Sequence, residues 1–227
     1  HAQVNHLENP VGFRMERTVF SWKIKEAKGK QQSYARIRVS SDEAMEHLLF
    51  DSGEDTKASS LCYPVKLKLE PRTRYYWTVE AGSDAGEKAV SEVQFFETGK
   101  REEAWSAKWI SCSSEEKRHP YFEKKIIPVK EVAKARLYIC GLGLYEVFVD
   151  EKHVGNEYLT PYSNDYNEWV QYQTYDVTEE FSSEGTLRVL LGNGWYKARF
   201  GFSAFEDRGC LLYTSPSPRD PKTSRMP

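Results

Sequence analysis

Short stretches of alternating apolar and polar residues dominate the first half of the chain, and such alternation is typical of β-strands with one buried face. Ser, Asp and Gly residues that favour turns separate these stretches. Only residues 41–48 carry a pattern that would allow one or two turns of helix. The pattern therefore predicts an all-β sandwich of about 100 residues. Its clearest strands are predicted at residues 19–24, 34–39, 75–80 and 93–98.

A local motif precedes the third of these strands. Residues 69–75 read L-x-P-x-T-x-Y, and Tyr75 opens the strand. A tyrosine at such a corner can fold its hydroxyl back onto a backbone group a few residues upstream and so fix the connection between the two sheets. This stretch resembles the fibronectin type III-like modules, which implies a spacer or platform without chemistry of its own.

After a charged joint at 100–103, the second half of the chain returns to the alternating pattern. A hairpin turn is predicted at 150–153, and a polar, aromatic loop occupies 164–169. These features predict a second β-sandwich, of the jelly-roll type, over residues 105–205. Its strands are predicted at 105–110, 135–140, 145–149, 170–177 and 187–191.

The end of the chain breaks this pattern. Four of the ten prolines fall after Ser215, and no apolar period is present there. Such a segment cannot bury enough apolar surface to offset the entropy lost on ordering. We therefore predict that residues 210–227 are disordered, and we interpret them as a tail that is not native to the protein.

The charge balance narrows the classes of partner. Lys and Arg number 32 against 34 Asp and Glu, which leaves a formal net charge of −2. Proteins that bind nucleic acids usually carry a basic excess. The sequence also lacks the run of about 18 apolar residues that a membrane-spanning helix requires. We therefore expect neither a nucleic acid nor a membrane as a partner.

The four cysteines lie far apart, with no C-x-x-C pair and no spacing typical of zinc ligands. This distribution predicts reduced thiols in a cytosolic protein, with Cys140 in the core. The chain opens without the basic and apolar segments of a signal peptide. We expect a cytoplasmic location and leave export open, because the chain starts at His1 and not at a methionine.

No catalytic constellation is visible in the sequence. The adjacent acidic pairs at 102–103, 115–116 and 179–180 would point to opposite faces of a strand, so none forms an acid–base pair. The five histidines are isolated from one another, and neither G-x-S-x-G nor G-x-G-x-x-G occurs. We therefore predict no catalytic residue in this chain.

A binding surface is easier to place, in the second module. Aromatic rings pack on the C–H faces of sugars, and planar polar side chains meet their hydroxyls. Calcium is held by oxygens of Asp, Asn and backbone carbonyls. Both kinds of residue occur at 162–169 and at 193–196, and the turn at Asp150 could join them. On composition alone, turn caps and core rings remain the favoured interpretation of the same residues.

A family resemblance strengthens the interpretation of these residues as a binding surface. The second module keeps a series of short motifs in order, at 141–150, 154–155, 159–161, 165–166, 172–178 and 191–196. This series resembles the amino-terminal β-sandwich of bacterial α-L-rhamnosidases. The N-P-V-G at 9–12 and the F-S-W at 20–22 resemble the module that precedes it in that family. The fold implied is two tandem β-sandwiches: a fibronectin type III-like one at 5–100 and a jelly-roll, carbohydrate-binding-like one at 105–205.

The resemblance implies that the chain is the accessory N-terminal part of a glycoside hydrolase. The parent would cleave terminal α-L-rhamnosides by inversion, with carboxylates of a helical barrel that lies downstream. The missing catalytic domain and a rhamnose-containing glycan are the implied partners, and the chain alone is expected to be inactive. Two alternatives remain open, a stand-alone lectin-like module and a structural platform that binds no sugar.

Some members of that family bind rhamnose together with calcium on the second sandwich. By resemblance, the candidates for such a site are Asp150, Asp165, Asn193 and Trp195, with calcium near Asp165 and Asn193; no cofactor is otherwise required. The sequence departs from the family pattern at Asp150-Glu151, where Asn-Gly is usual. This departure weakens the assignment of the turn to the site.

Overall fold

The computed structural model describes residues 1–112 and 119–196 in full, and beyond them only the backbone of three short strands. All regular elements of this described part are β-strands, which confirms the predicted all-β fold class. Within it, no helix is long and apolar enough to cross a membrane. The chain divides into two compact units, His1–Glu103 and Ala104–Pro227.

The strands of the first unit are β1 (Ala2–Val4), β2 (Val11–Phe13), β3 (Thr18–Trp22), β4 (Gln32–Ser40), β5 (Leu48–Asp51), β6 (Tyr63–Val65), β7 (Arg74–Ser83), β8 (Lys88–Val90) and β9 (Gln94–Thr98). The smaller sheet has the order β1-β3-β6. The larger has the order β2-β9-β7-β4-β5, and β8 pairs with β7. Four of these strands, β3, β4, β7 and β9, confirm the predicted ones, with ends shifted by a few residues.

The core between these sheets combines aromatic rings with aliphatic side chains. Phe20 and Trp22 are buried on the inner face of β3, with a half-buried residue between them. From the larger sheet, the rings of Trp77 and Phe96 lie 4.5 and 6.4 Å from that of Phe20, measured between centroids. Burial of a side chain as large as Phe contributes about 1.5–3 kcal/mol. The alternation seen in the sequence is therefore the alternation of this core with the surface.

The helical turn allowed by the sequence at residues 41–48 does not form. The Asp42 carboxylate accepts the N–H groups of Glu46 and His47, at 3.1 and 2.7 Å. These contacts, together with the Ser40 hydroxyl, lower the pKa of Asp42. Because a side chain takes the N–H groups that a helix would pair with its own carbonyls, the segment closes as a turn. The next strand, β5, then begins at Leu48.

The predicted tyrosine corner is confirmed. The Tyr75 hydroxyl accepts a hydrogen bond from the backbone N–H of Glu70 at 2.8 Å, and the ring is buried. The Thr98 hydroxyl donates to the Glu70 carbonyl at 2.6 Å, and the Thr73 N–H donates to that hydroxyl at 3.0 Å. These contacts tie the segment before β7 to the end of β9.

The strands of the second unit are β10 (Trp109–Ile110), β11 (Tyr121–Ile126), β12 (Arg136–Leu142), β13 (Tyr145–Val149), β14 (Lys152–His153), β15 (Gln173–Asp176), β16 (Gly185–Leu191), β17 (Arg199–Phe200), β18 (Ser203–Ala204) and β19 (Leu211–Ser215). One sheet has the order β11-β16-β13-β14 and the other β10-β19-β12-β15, and β17 pairs with β18. The predicted hairpin at 150–153 is present as the β13–β14 connection.

Aliphatic side chains fill most of the core of the second unit. Ile139 of β12, Val147 of β13 and Val189 and Leu191 of β16 are buried in it. Burial also raises the pKa of the Cys140 thiol to about 12, in keeping with a reduced core cysteine. The two sheets enclose these residues as the layers of a β-sandwich.

The prediction of disorder over residues 210–227 is wrong for Leu211–Ser215. These residues form β19, which pairs with β12 on one side and with β10 on the other. A β-prone L-L-Y-T-S run opens the supposed tail, and hydrogen bonds on both of its edges offset the cost of ordering it. Position 210, residues 216–227 and the predicted boundary at 205 lie outside the described residues.

Candidate functional site

A tight contact between two loops forms the base of the candidate site. The turn between β12 and β13 meets the segment 192–196 after β16, here called the glycine loop. The Gly192 N–H donates to the Leu144 carbonyl at 2.6 Å. A Cβ atom on Gly143 would lie 2.2 Å from the Gly192 oxygen, and one on Gly194 would lie 2.3 Å from the Leu144 nitrogen. Both glycines also have positive φ, so the contact requires glycine and holds Asn193 beside this turn.

Residues 156–172, here called the aromatic loop, form the second part of the site. The Thr160 carbonyl accepts the N–H of Tyr145 at 3.0 Å, which ties the loop to the start of β13. The Tyr162 N–H donates to the side-chain oxygen of Gln171 at 3.2 Å, which closes its two ends. Although it carries no strand, the loop is therefore anchored to the sandwich at several points.

Asp165 organises the tip of the aromatic loop. Its carbonyl accepts the N–H groups of Glu168 and Trp169, each at 3.0 Å. Its carboxylate accepts the N–H of Asn167 at 3.1 Å. This arrangement is an Asx turn, in which the side chain substitutes for a backbone acceptor. The carboxylate is thus held in one position at the surface of the loop.

A ring contact brings the aromatic loop and the glycine loop together. The rings of Tyr166 and Tyr196 lie 5.1 Å apart at an interplanar angle of 77°, an edge-to-face arrangement. Burial raises the pKa of the Tyr166 phenol. The Tyr166 hydroxyl and the Asn164 side-chain oxygen are both enclosed without a hydrogen-bond partner among the described residues. The contact places Asp165 in the same region as Asn193 and Trp195.

Asp150 does not join this group. Its carboxylate accepts the N–H of Thr186 at 2.9 Å, and its own N–H donates to the Thr186 carbonyl at 2.8 Å. Thr186 lies at the start of β16, whereas Asn193 follows the end of that strand. Asn193 lies seven residues after Thr186, and an extended chain of this length spans roughly 20 Å. The side chain closes the hairpin turn, where a φ of 51° favours Asp or Asn over most other residues.

The donors for a calcium ion are few at this site. No three His, Cys, Asp or Glu side chains of the described residues group closely enough to hold a metal ion. Calcium takes six to eight oxygen ligands, so Asp165 and Asn193 do not complete its coordination by themselves. The residues present do not fit a calcium site without further donors.

The same loop carries three further aromatic side chains that are exposed. Tyr158 is 83% exposed, while Tyr162 and Trp169 are each 57% exposed; Trp195 of the glycine loop is 41% exposed. Tyr162 and Trp169 belong to the segment that sequence analysis singled out. Tyr158 was missed, since only its exposure in the folded unit distinguishes it from a core tyrosine.

Comparison with family profiles assigns both units. The family described as "Alpha-L-rhamnosidase N-terminal domain" matches residues 130–215. The family described as "Rha78A-like, N-terminal immunoglobulin domain" matches residues 1–102. The first match includes β19, in agreement with its pairing in the second sandwich.

Several relatives and solved structures give the same result. An α-L-rhamnosidase of Formosa agariphila is 34% identical over 227 residues, and the match covers 85% of this chain and 24% of that protein. One of an Alteromonas species is 29% identical and is covered over 23% of its length. The structure of the α-L-rhamnosidase from Dictyoglumus thermophilum superposes with a TM-score of 0.75 at 26% identity, over 93% of this chain and 26% of that one.

The chain thus spans about a quarter of the length of the relatives that it matches. The α-L-rhamnosidase of Aspergillus terreus, at 22% identity and a TM-score of 0.77, shows the same fold over 94% of this chain. The chain belongs to the N-terminal region of the α-L-rhamnosidases, with an immunoglobulin-like domain followed by the rhamnosidase N-terminal domain.

Proposed function

We propose that this chain is the accessory region of an enzyme that hydrolyses terminal α-L-rhamnosides with inversion, and that its second unit binds L-rhamnose. The relatives named α-L-rhamnosidase are about four times as long as the match, which leaves room for a catalytic domain downstream. The first unit would then act as a platform for that domain, and the second as its sugar-binding neighbour.

The chain alone is expected to be inactive. The fully buried carboxylate of Glu97 has an Arg74 nitrogen 3.1 Å away, and the Arg74 guanidinium in turn stacks on the ring of Phe95. A buried carboxylate paired with an arginine in this way serves the fold. Purified chain should therefore release no product from an aryl α-L-rhamnoside, and detectable turnover would contradict this part of the proposal.

The observation that carries the proposed sugar site is the contact between Tyr166 and Tyr196. It joins the two loops that carry the side chains a small neutral sugar requires: a carboxylate and an amide for its hydroxyls, and an exposed indole for its apolar face. These are the side chains of Asp165, Asn193 and Trp195. Asp150 is not part of the proposal, because it closes a turn at the other end of β16.

A purely structural role is the second candidate, and one observation favours it. Ile127 and Val129, in the connection between β11 and β12, are exposed β-branched residues. Exposed apolar groups of this kind are typical of surfaces that another domain covers. In this case the second unit would pack against the downstream domain and bind no sugar.

Calorimetric titration of L-rhamnose into the full chain distinguishes these roles. We expect binding that is weakened by Asp165→Ala and by Asn193→Ala, whereas Asp150→Ala, the matched control, leaves the affinity unchanged. The titration is made with added calcium and again with chelator, since the described side chains do not by themselves complete a calcium site. If no heat appears at tens of millimolar sugar, about −2 to −3 kcal/mol, the structural role is correct.

A further inference from the structure

The aromatic loop exposes more ring surface than a site for one sugar needs. Trp195, with Asp165 and Asn193, supplies a ring and two polar groups for a monosaccharide. Tyr158, Tyr162 and Trp169 are more exposed than Trp195, and all three belong to one loop. Large aromatic side chains exposed together on one connected segment are typical of a binding surface.

The backbone that carries these rings is ordered before any ligand arrives. Tyr162 is tied to Gln171 through its backbone N–H, and Trp169 is tied to the carbonyl of Asp165. The Thr160 carbonyl, between Tyr158 and Tyr162, accepts a hydrogen bond from the N–H of the first residue of β13. A surface ordered in advance loses less entropy on binding than a mobile one.

The charge of the segment identifies the class of ligand. Residues 154–172 contain three carboxylates, those of Glu157, Asp165 and Glu168, and no Lys, Arg or His. A glycan with uronate or sulfate groups would meet like charge along this surface. An uncharged glycan would meet aromatic rings together with the exposed amide of Asn167, which can bond its hydroxyls.

We propose that Tyr158, Tyr162 and Trp169 form additional sugar subsites beside Asp165, Asn193 and Trp195, so that the second unit binds an uncharged oligosaccharide that ends in rhamnose. This inference rests on the proposed function, because it extends the same site. Each added sugar ring packs on one exposed aromatic side chain, while the terminal rhamnose occupies the polar pair.

The test compares ligands of increasing length on the full chain by calorimetry. The probes are L-rhamnose and the neutral di- and trisaccharides of rhamnose. We expect the trisaccharide to bind about tenfold more tightly than the monosaccharide. Trp169→Ala should reduce this gain and leave the affinity for L-rhamnose unchanged. Tyr121→Ala, which removes a ring of β11 that is 54% exposed and lies outside the loop, is the matched control and should keep the gain.

The outcomes separate this inference from the function on which it rests. Equal affinities for the mono- and trisaccharide would overturn the additional subsites and leave rhamnose binding intact. No binding of either sugar would overturn both, as would a Trp169-dependent self-association of the chain without sugar binding, which would assign the rings to a protein contact. Tighter binding of an oligogalacturonate than of the neutral trisaccharide would contradict the proposed class of ligand.

Discussion

The two units differ in where their tryptophans lie: Trp22 and Trp77 of the first are buried, whereas three tryptophans of the second are exposed. In the first, the rings of Phe20 and Trp77 contact one another inside the sandwich, 4.5 Å apart. In the second, Val and Leu residues provide most of the core, whereas Tyr162, Trp169 and Trp195 lie exposed on loops. Both units are β-sandwiches, so the architecture does not decide where the rings go.

This difference indicates a division of roles. A buried ring contributes to stability through the area it removes from water, and it is unavailable to a ligand. An exposed ring contributes little to stability and offers a flat apolar surface to a partner. This agrees with the proposed function, in which the first unit serves as a platform and the second carries the recognition surface.

The largest loss of stability among the tests of this comparison is expected for Trp77→Ala. Trp77 is 1% exposed, and loss of a buried Trp side chain costs about 3–5 kcal/mol in free energy of unfolding. Trp169→Ala, the matched exposed tryptophan, should change it by less than about 0.5 kcal/mol. Urea denaturation followed by circular dichroism measures both values. A Trp169 variant as unstable as the Trp77 variant would show that the exposed rings also serve the fold.

A smaller loss of stability is expected when the loop contact beneath the proposed sugar site is overfilled. Gly194→Ala puts a Cβ atom against the backbone of Leu144 at a positive φ, so the two loops must separate. Gly53→Ala is the matched control, because Gly53 also has a positive φ but has nothing within 4 Å of the added atom.

The control is expected to cost about 1 kcal/mol, from backbone conformation alone. The Gly194 variant should lose a further ~1–3 kcal/mol from the steric clash. Thermal unfolding of the two variants measures the difference. If both variants lose the same free energy of unfolding, the two loops accommodate the added methyl group without a clash. Asn193 is then not held as described.

The tyrosine corner of the first unit is expected to contribute about 1 kcal/mol. Tyr75→Phe removes the hydroxyl that accepts the Glu70 N–H and keeps the buried ring. Tyr76→Phe removes the same atom from the other face of β7 and should leave the unfolding midpoint almost unchanged. Equal midpoints for the two variants would contradict a stabilising role for the corner.

The smallest loss of stability is expected for an ion pair on the polar outer face of the first unit. The Arg36 guanidinium binds the Asp51 carboxylate through two hydrogen bonds, of 2.8 and 2.6 Å, and lowers the pKa of Asp51 from 3.8 to about 2. Because the folded pKa is depressed, the stabilisation is complete above pH 4 and is lost as the pH falls towards 2. Exposure limits its size to about 1 kcal/mol or less.

Asp51→Asn should therefore lower stability at pH 6 and make it less dependent on pH between 4 and 2. Unfolding midpoints of the variant and the unchanged chain, measured at pH 6, 4 and 2, test this. An acid-induced loss of the same size in both proteins would assign the pH dependence to other carboxylates.

Local patterns account for much of the first unit. The alternation of residues predicts β3, β4, β7 and β9, and L-x-P-x-T-x-Y predicts the bond from Glu70 to Tyr75. Such signals succeed because they depend on neighbours in the chain. The turn at Asp42 shows the limit, since its side chain captures N–H groups that a helix pattern assigns to the backbone.

Strands stabilised by their partners are harder to predict. In β11, Tyr121–Ile126, three charged side chains obscure the alternation, and the strand is recognisable from its pairing with β16. Similarly, the sequence assigns the residues of β19 to a disordered tail, because the prolines that follow them suggest disorder. Its place between β10 and β12 supplies hydrogen bonds that the local sequence does not predict.

The sequence by itself determined the all-β class, the tyrosine corner and the kinds of side chain present in the two loops. The tertiary structure alone decided which of these side chains meet. Pairing of β16 with β13 places Asp150 at one end of the strand and Asn193 at the other, and the Tyr166–Tyr196 contact joins the loops that carry Asp165 and Asn193. The physical reason is that strand register and loop contacts join residues far apart in the chain, and their free energy depends on the whole sandwich more than on local pattern.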